Sequence, residues 1–154
     1  MNGVSRLTHT EGVTLITFAK IPGDTGFVSE ILSMATEAQV NIDMISLNDT
    51  QSGYNSLSFT VDDSQFGDIL ALVGRCKEKY PSVRPLVSSG NCLITLFGEE
   101  MRALPGVAST AISSVVRVGA DVRMITTSTE EINLLVSESS VFDVMHVLEK
   151  AFSL

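Results

Sequence analysis

Two short loops, each followed by a helical pattern, carry residue types suited to binding a small charged molecule. The first is Gly23–Gly26 (GDTG), and the second ends at Gly106. The free N–H groups and positive dipole end of a helix start bind a carboxylate without a charged side chain. In the first loop, Asp24 or Thr25 can cap the helix, and the glycines allow backbone angles closed to other residues.

A strand start after the first helix can supply the opposite charge. The segment Asn41-Ile42-Asp43 offers a carbonyl and a carboxylate for an ammonium group. A zwitterion such as an amino acid needs both kinds of partner a few ångströms apart. The alternative is that Gly26 and Gly106 only end turns and let a helix pack on a sheet, and their spacing favours neither interpretation.

Catalytic constellations are not evident in the sequence. His9 and His146 have no partners at metal-ligand or triad spacing, and Glu99-Glu100 and Glu130-Glu131 are adjacent pairs typical of solvated turns. The Gly23–Gly26 loop has neither the spacing nor the lysine of a phosphate-binding loop. The sequence therefore predicts no catalytic residue, no metal site and no cofactor.

The elements that would position these loops occur twice along the chain. Adding 80 to the residue numbers of the first strand, helix and second strand gives equivalent residues, and the shift falls to 75 after the second strand. Examples are Val13 and Leu93, Gly26 and Gly106, Met44 and Met124, Phe59 and Leu134, and Leu70 and Met145. A numbering shift that stays constant and changes only once, in a hairpin loop, indicates that the chain contains a duplicated unit.

Each unit reads as β-α-β-β-α-β, the ferredoxin-like arrangement. The predicted strands are Val13–Phe18, Asn41–Asn48, Asn55–Val61, Val83–Val87, Cys92–Phe97, Asp121–Ser128 and Glu131–Val136, with Ser88-Ser89-Gly90 joining the units. The sequence thus predicts an α+β fold of two such units packed as a pair, with domains at 11–88 and 89–154. The second unit lacks its fourth strand, which residues 1–10 around Val4 could supply.

Composition narrows the function classes further. The net charge is −8, with 10 basic and 18 acidic residues, which disfavours nucleic-acid binding. No apolar run approaches the roughly 18 residues needed to span a bilayer, and the N-terminus lacks the apolar core of a signal peptide. We therefore expect a cytoplasmic protein without membrane contact, in which Cys76 and Cys92 are reduced thiols.

Several motifs in one order carry a family resemblance. They are EGVTLITF, IPGDTGF with its Pro-x-x-x-Gly spacing, VNIDMISLN, MRALPGVAS, MITTS and the ending LEKAFSL. From Thr8 to Leu154 the chain resembles the tandem ACT domains that form the regulatory portion of aspartate kinases. The resemblance covers nearly the whole chain, and it is more specific for the family than for any particular ligand.

The resemblance implies a non-catalytic sensor that binds lysine or threonine where two ACT units meet. It also implies a homodimer through side-by-side ACT sheets and a partner that is an aspartate kinase catalytic domain or subunit. The ligand-binding residues that it implies are Gly23, Asp24, Thr25, Gly26, Phe27, Val28, Asn41, Ile42 and Asp43 in the first unit. In the second unit they are Met101, Gly106, Val107, Ala108, Asp121, Val122, Ser128 and Thr129.

Departures from the family pattern bear on ligand binding. Gly23, Leu47 and Thr129 stand where the family commonly has Asp, Gln and Glu, and each lost polar group removes about 1–3 kcal/mol of interaction with a buried polar ligand atom. The first unit keeps Asn41 and Asp43, so the sequence favours it as the binding unit. The alternative function is a structural dimerisation module that has lost effector binding.

Overall fold

The computed structural model describes residues 3–49 and 52–154, and of Thr25 only the backbone. Within these ranges the strands are β1 (Arg6–Pro22), β2 (Ile45–Asp49), β3 (Tyr54–Asp62), β4 (Arg84–Phe97), β5 (Val122–Thr127) and β6 (Glu131–Ser137). The α-helices are α1 (Thr25–Glu37), α2 (Phe66–Lys79), α3 (Val107–Arg117) and α4 (Val141–Phe152). Short 3₁₀ helices lie at Asp63–Gln65, Glu99–Ala103 and Glu138–Ser140.

The chain divides into two compact units. The first unit is Gly12–Ser89, and the second consists of residues up to Glu11 together with Gly90–Leu154. The strand order is β2-β3-β1-β4 in the first unit and β5-β6-β4-β1 in the second, where the N-terminal part of β1 takes the place of the last strand. Both units therefore have the α+β arrangement that the sequence predicts.

In the first unit, α1 and α2 pack against a sheet whose centre includes β3. Strand β3 pairs antiparallel with β1 and β2, which places Phe59 opposite both Ile16 and Ile45. Helix α1 buries Ile31 and Ala35, which lie one turn apart on one face of the helix. This is the apolar face that the helical spacing of residues 27–38 predicts.

The second unit repeats this packing around β6. Strand β6 pairs antiparallel with β4 and β5, which places Leu134 opposite both Ile94 and Ile125. Val4 is buried in the same core, and the Ser5 N–H donates to the Phe97 carbonyl oxygen at 2.8 Å. The segment before β1 is thereby tied to the end of β4.

The strand registers correct the predicted repeat. Because Ile16 lies opposite Phe59 and Ile94 lies opposite Leu134, the equivalent of Ile16 is Ile94, a shift of 78 rather than 80. The second unit has two more residues between its first strand and its first helix, in the segment that contains the 3₁₀ helix Glu99–Ala103. A two-residue shift preserves the alternation of buried and exposed residues in a strand, so the apolar pattern alone could not reveal it.

The predicted bounds of three strands are wrong, and the first of them, β1, extends from Arg6 to Pro22 instead of from Val13 to Phe18. The units divide between Ser89 and Gly90, within the predicted join, but strand β4 runs through this segment without the predicted interruption. Gly90 has a φ of 69°, as does Gly12, its equivalent at the shift of 78, and glycine adopts this left-handed conformation without strain. Strand β2 begins at Ile45 rather than at Asn41. The predicted turn 49–54 lies partly outside the described residues.

Candidate functional site

A hollow of about 290 Å³ lies in the second unit beside the start of α3. One wall runs from the 3₁₀ helix to the first turn of α3, and the other is formed by the end of β5 and the turn to β6. The residues that line it are Met101, Arg102, Leu104, Gly106, Val107, Ala108, Thr127, Ser128, Thr129 and Ile132. The hollow therefore combines an apolar floor with hydroxyl groups and a helix start.

The start of α3 has no side-chain cap. Gly106 holds the N-cap position with a φ of 94°, and it makes no side-chain hydrogen bond to the helix. Its carbonyl accepts from the Thr110 N–H at 2.9 Å, which begins the intrahelical ladder. The N–H groups of the first turn have no acceptor within a helix, and together with the dipole they attract an anion.

The opposite wall is a braced hairpin turn. The Ser128 N–H donates to the Glu131 carbonyl at 2.8 Å, and the Ser128 hydroxyl accepts from the Glu131 N–H at 3.2 Å. The Glu130 carbonyl accepts from the Gly98 N–H at 2.9 Å, and its carboxylate forms an ion pair with Arg102. The two walls of the hollow are thus joined by one backbone hydrogen bond and one ion pair.

Most of the ligand-binding residues predicted in the second unit come together here. Met101, Gly106, Val107, Ala108, Ser128 and Thr129 all line the hollow. Asp121 and Val122 do not, because they follow the other end of α3, and an 11-residue helix is roughly 16 Å long.

Four lining residues are absent from the predicted set: Arg102, Leu104, Thr127 and Ile132. Arg102 and Leu104 lie inside the motif MRALPGVAS, and Thr127 directly precedes Ser128. The motif and its neighbours could therefore have identified these three residues. Ile132 follows the β5–β6 turn as a buried strand residue, and nothing in the sequence separates it from the other core positions.

The start of α1 in the first unit is organised differently. The Asp24 carboxylate accepts from the Gly26 N–H at 2.8 Å, so this helix is capped by its own residue, as the sequence allows. Neither Gly23 nor Gly26 has a positive φ, contrary to the expectation from the glycine-bearing loop. The Gly23 N–H instead donates to the Gly53 carbonyl at 2.9 Å. The side chain of Thr25 lies outside the described residues.

The other residues predicted in the first unit mainly have packing and backbone roles. Phe27 meets Tyr80 edge to face, with ring centroids 5.0 Å apart, and Val28 packs against the core. The Asn41 N–H donates to the Gln65 side chain at 2.9 Å. Ile42 is half-buried against the core, and the Asp43 N–H donates to the Thr60 carbonyl at 2.9 Å. Ligand contact by these first-unit residues stays a prediction.

Asn41 and Asp43 do not lie near Gly26 within the unit. They follow the C-terminal end of α1, whose 13 residues span roughly 20 Å. The expectation of a carboxylate partner and an ammonium partner a few ångströms apart is therefore wrong for a single unit.

The cap at Asp24 gives a direct test of the first-unit geometry. Asp24→Ala is expected to lower the free energy of unfolding by about 1 kcal/mol, because the Gly26 N–H loses its acceptor. Asp24→Asn is the matched control, since asparagine caps about as well as aspartate. Urea denaturation measures both variants, and equal stability of the two would contradict the assigned cap.

Both cysteines are free and buried, in agreement with the predicted reduced thiols. Burial, together with the nearby carboxylates of Glu11 and Glu138, raises the pKa of the Cys92 thiol to about 11. Burial also raises the pKa of the Cys76 thiol. Both thiols are thus protonated at neutral pH, and a protonated thiol is a poor nucleophile.

Comparison with known proteins finds a family match in part of the chain. Residues 94–152, which contain the hollow and its helix, match the ACT domain family. The match lies within the second unit and covers less than half of the chain, so that part of the chain is similar to ACT domains. The resemblance to the regulatory region of aspartate kinases that the motifs carry is confirmed.

The relatives extend the match to nearly the whole chain. Aspartokinase from Mycolicibacterium smegmatis is 23% identical over 96% of this chain, which spans 36% of that relative. The regulatory subunit of aspartate kinase from Thermus flavus has the same fold, with a TM-score of 0.89, 17% identity and coverage of 98% of this chain and 99% of that one. E. coli aspartokinase III in complex with lysine and aspartate aligns with a TM-score of 0.68 and 19% identity, over 99% of this chain and 33% of that one. In the described ranges, no helix has the length and apolar content needed to cross a membrane.

Proposed function

We propose that this ACT protein senses an amino acid and regulates an aspartate kinase. The observation that carries the proposal is the hollow of the second unit, where the uncapped start of α3 faces the hydroxyl groups of Ser128 and Thr129. The helix start offers N–H groups and positive potential to the α-carboxylate of an amino acid. The apolar floor and the hydroxyl groups offer partners for its side chain.

The effector is lysine or threonine in this proposal. The E. coli aspartokinase with a similar fold was solved in complex with lysine, and the ACT family match includes the residues around the hollow. We favour the second unit over the first, which reverses the preference from the sequence. A ligand carboxylate at the start of α1 would have to displace the Asp24 carboxylate from the Gly26 N–H.

A second copy of the chain would complete the effector site. Asn41 and Asp43 lie beyond the C-terminal end of α1, and Asp121 lies beyond that of α3. Each is thus far from the start of its own helix, so these groups would have to contact a ligand held by another unit. The outer strands β2 and β5 expose Leu47 and Ile125, which suits a homodimer through ACT sheets. We further propose the domains 11–88 and 89–154, the second completed by a strand from residues 1–10.

Regulation follows from linkage between binding and assembly. A ligand that binds one arrangement of ACT units more tightly shifts the population toward it, and a bound kinase domain or subunit responds to that shift. We place the complex in the cytoplasm, without a role for nucleic acid or membrane.

The first test is a thermal-shift and calorimetry screen with lysine, threonine and other amino acids. A ligand at 100 times its Kd stabilises the folded state by about 2.7 kcal/mol, which raises Tm by roughly 5–10 °C for a chain of this size. Ala108→Asp is expected to abolish the shift, because it places a carboxylate in the first turn of α3 where the ligand carboxylate would bind. The same change should leave the helix stable, since an acidic residue is favourable there.

The control for that variant is Ala71→Asp, which adds the same charge to an exposed position of α2 in the first unit. It should retain the full ligand-induced shift. No shift with any amino acid at millimolar concentration, or equal shifts in both variants, would refute binding at the α3 start.

One observation favours a second candidate function, a structural dimerisation module without an effector. Asp24 already satisfies the start of α1, so at least one of the two helix starts is closed to a ligand carboxylate. Unchanged stability with every amino acid, together with a stable complex with a kinase subunit, would select this function.

A further inference from the structure

The Arg102–Glu130 ion pair places both signs of charge at the edge of the proposed effector site. Arg102 is the one charged side chain among the described residues that line the hollow. Its guanidinium pairs with Glu130, which lies in the opposite wall, 28 residues away. The Arg102 side chain is 61% exposed and that of Glu130 is 31% exposed, so the pair lies at the rim of the hollow.

The remaining lining is neutral. Met101, Leu104, Val107 and Ile132 supply apolar surface, and the turn supplies hydroxyl groups. A volume of about 290 Å³ is at the small end for ligand sites in proteins, which suits a short side chain. A methyl or hydroxyl group would find partners on this surface.

A cationic side chain would meet a different environment. A carboxylate is the strongest side-chain partner for an ammonium group, and Glu130 is already paired with Arg102 across the rim. To reach that carboxylate, the ammonium would have to displace the guanidinium and then remain beside an unpaired positive charge. The dipole of α3 adds positive potential at the same end of the hollow.

We propose that the second unit selects amino acids with short neutral side chains and rejects cationic ones, and that the Arg102–Glu130 pair is the device that rejects them. This inference rests on the proposed amino-acid binding at the hollow. It narrows the effector class to neutral amino acids of the size of threonine.

Isothermal titration of the full chain with threonine and with lysine tests the proposal. The wild-type chain is expected to bind threonine at least tenfold more tightly than lysine. Arg102→Gln removes the guanidinium and frees the Glu130 carboxylate, so this preference should fall at least tenfold. Glu130→Gln breaks the same pair but leaves the positive charge, so lysine should remain rejected.

The two variants form a matched set because both break the Arg102–Glu130 ion pair. Arg102→Gln removes the positive charge, whereas Glu130→Gln removes the negative charge. Thermal melting without ligand verifies that both variants fold. If Arg102→Gln and Glu130→Gln change the threonine-to-lysine ratio alike, the pair only braces the walls, and the proposal is overturned. Wild-type binding of lysine as tight as that of threonine also overturns it while leaving amino-acid sensing intact, whereas wild-type binding of neither overturns both.

Discussion

Replacing Gly98 by alanine is expected to destabilise the second unit by about 3 kcal/mol, the upper range for an overpacked site. A Cβ at this position would overlap the Gly3 carbonyl oxygen, and it would lie 2.7 Å from the Gly3 carbonyl carbon and 3.0 Å from the Val4 Cα. Gly98 has a φ of −172°, which any residue adopts, so the cost comes from close approach and not from backbone conformation. Moving the backbone away would break the Ser5–Phe97 hydrogen bond and withdraw Val4 from the core.

Urea denaturation followed by circular dichroism measures this loss, and Gly74→Ala is the matched control. Gly74 lies in the middle of α2, and a Cβ there meets no atom within 4 Å. Alanine is the better helix former by about 1 kcal/mol, so the control variant should gain stability. A neutral Gly98→Ala variant would show that the segment around Gly3 does not approach β4 as closely as the structure places it.

The helices and the repeat could be predicted from the sequence because they depend on local pattern. Ile31 and Ala35, and Ala111 and Val115 in the second unit, recur one turn apart and are buried on one helical face. Pro81 lies two residues after Lys79, the last residue of α2, where proline cannot continue a helix. Local periodicity was enough to assign both units to the same arrangement.

Strand continuity could not be predicted in the same way. The segment Ser88-Ser89-Gly90 has the composition of a turn, yet β4 passes through it with Gly90 in a left-handed conformation. The close approach of Gly3 to Gly98 is likewise not evident from the sequence, since it depends on the segment before β1 lying beside the end of β4.

The candidate site could be predicted only where its residues are neighbours in sequence. The segment from Met101 to Ala108 contributes most of one wall, and its motif identified much of it. The pairing of Arg102 with Glu130 depends on how the β5–β6 turn folds back on the 3₁₀ helix, which no local pattern encodes. The prediction that Asn41 lies close to the Gly23–Gly26 loop is wrong within one unit. The 13-residue helix α1 lies between the two segments and places them at its opposite ends.

Replacing Phe152 by alanine is expected to cost about 3–5 kcal/mol, the range for deleting a buried aromatic side chain. Phe152 is fully buried as the last residue of α4, within the core of the second unit. The chain reverses directly after it, with Ser153 at a φ of 57° and the Leu154 N–H donating to the Glu149 carbonyl at 3.0 Å. The helix end is therefore held in place, and we expect it to collapse only partly into the cavity.

Phe142→Ala is the control for this prediction, because it makes the same chemical change in the same helix. Phe142 is 79% exposed, so its truncation should change the free energy of unfolding by no more than about 0.5 kcal/mol. Hydrogen exchange should show that Phe152→Ala weakens protection in the second unit first, since the core that buries Phe152 consists of residues from that unit. Similar losses for the two variants would mean that α4 does not pack by the face that buries Val144, Leu148 and Phe152.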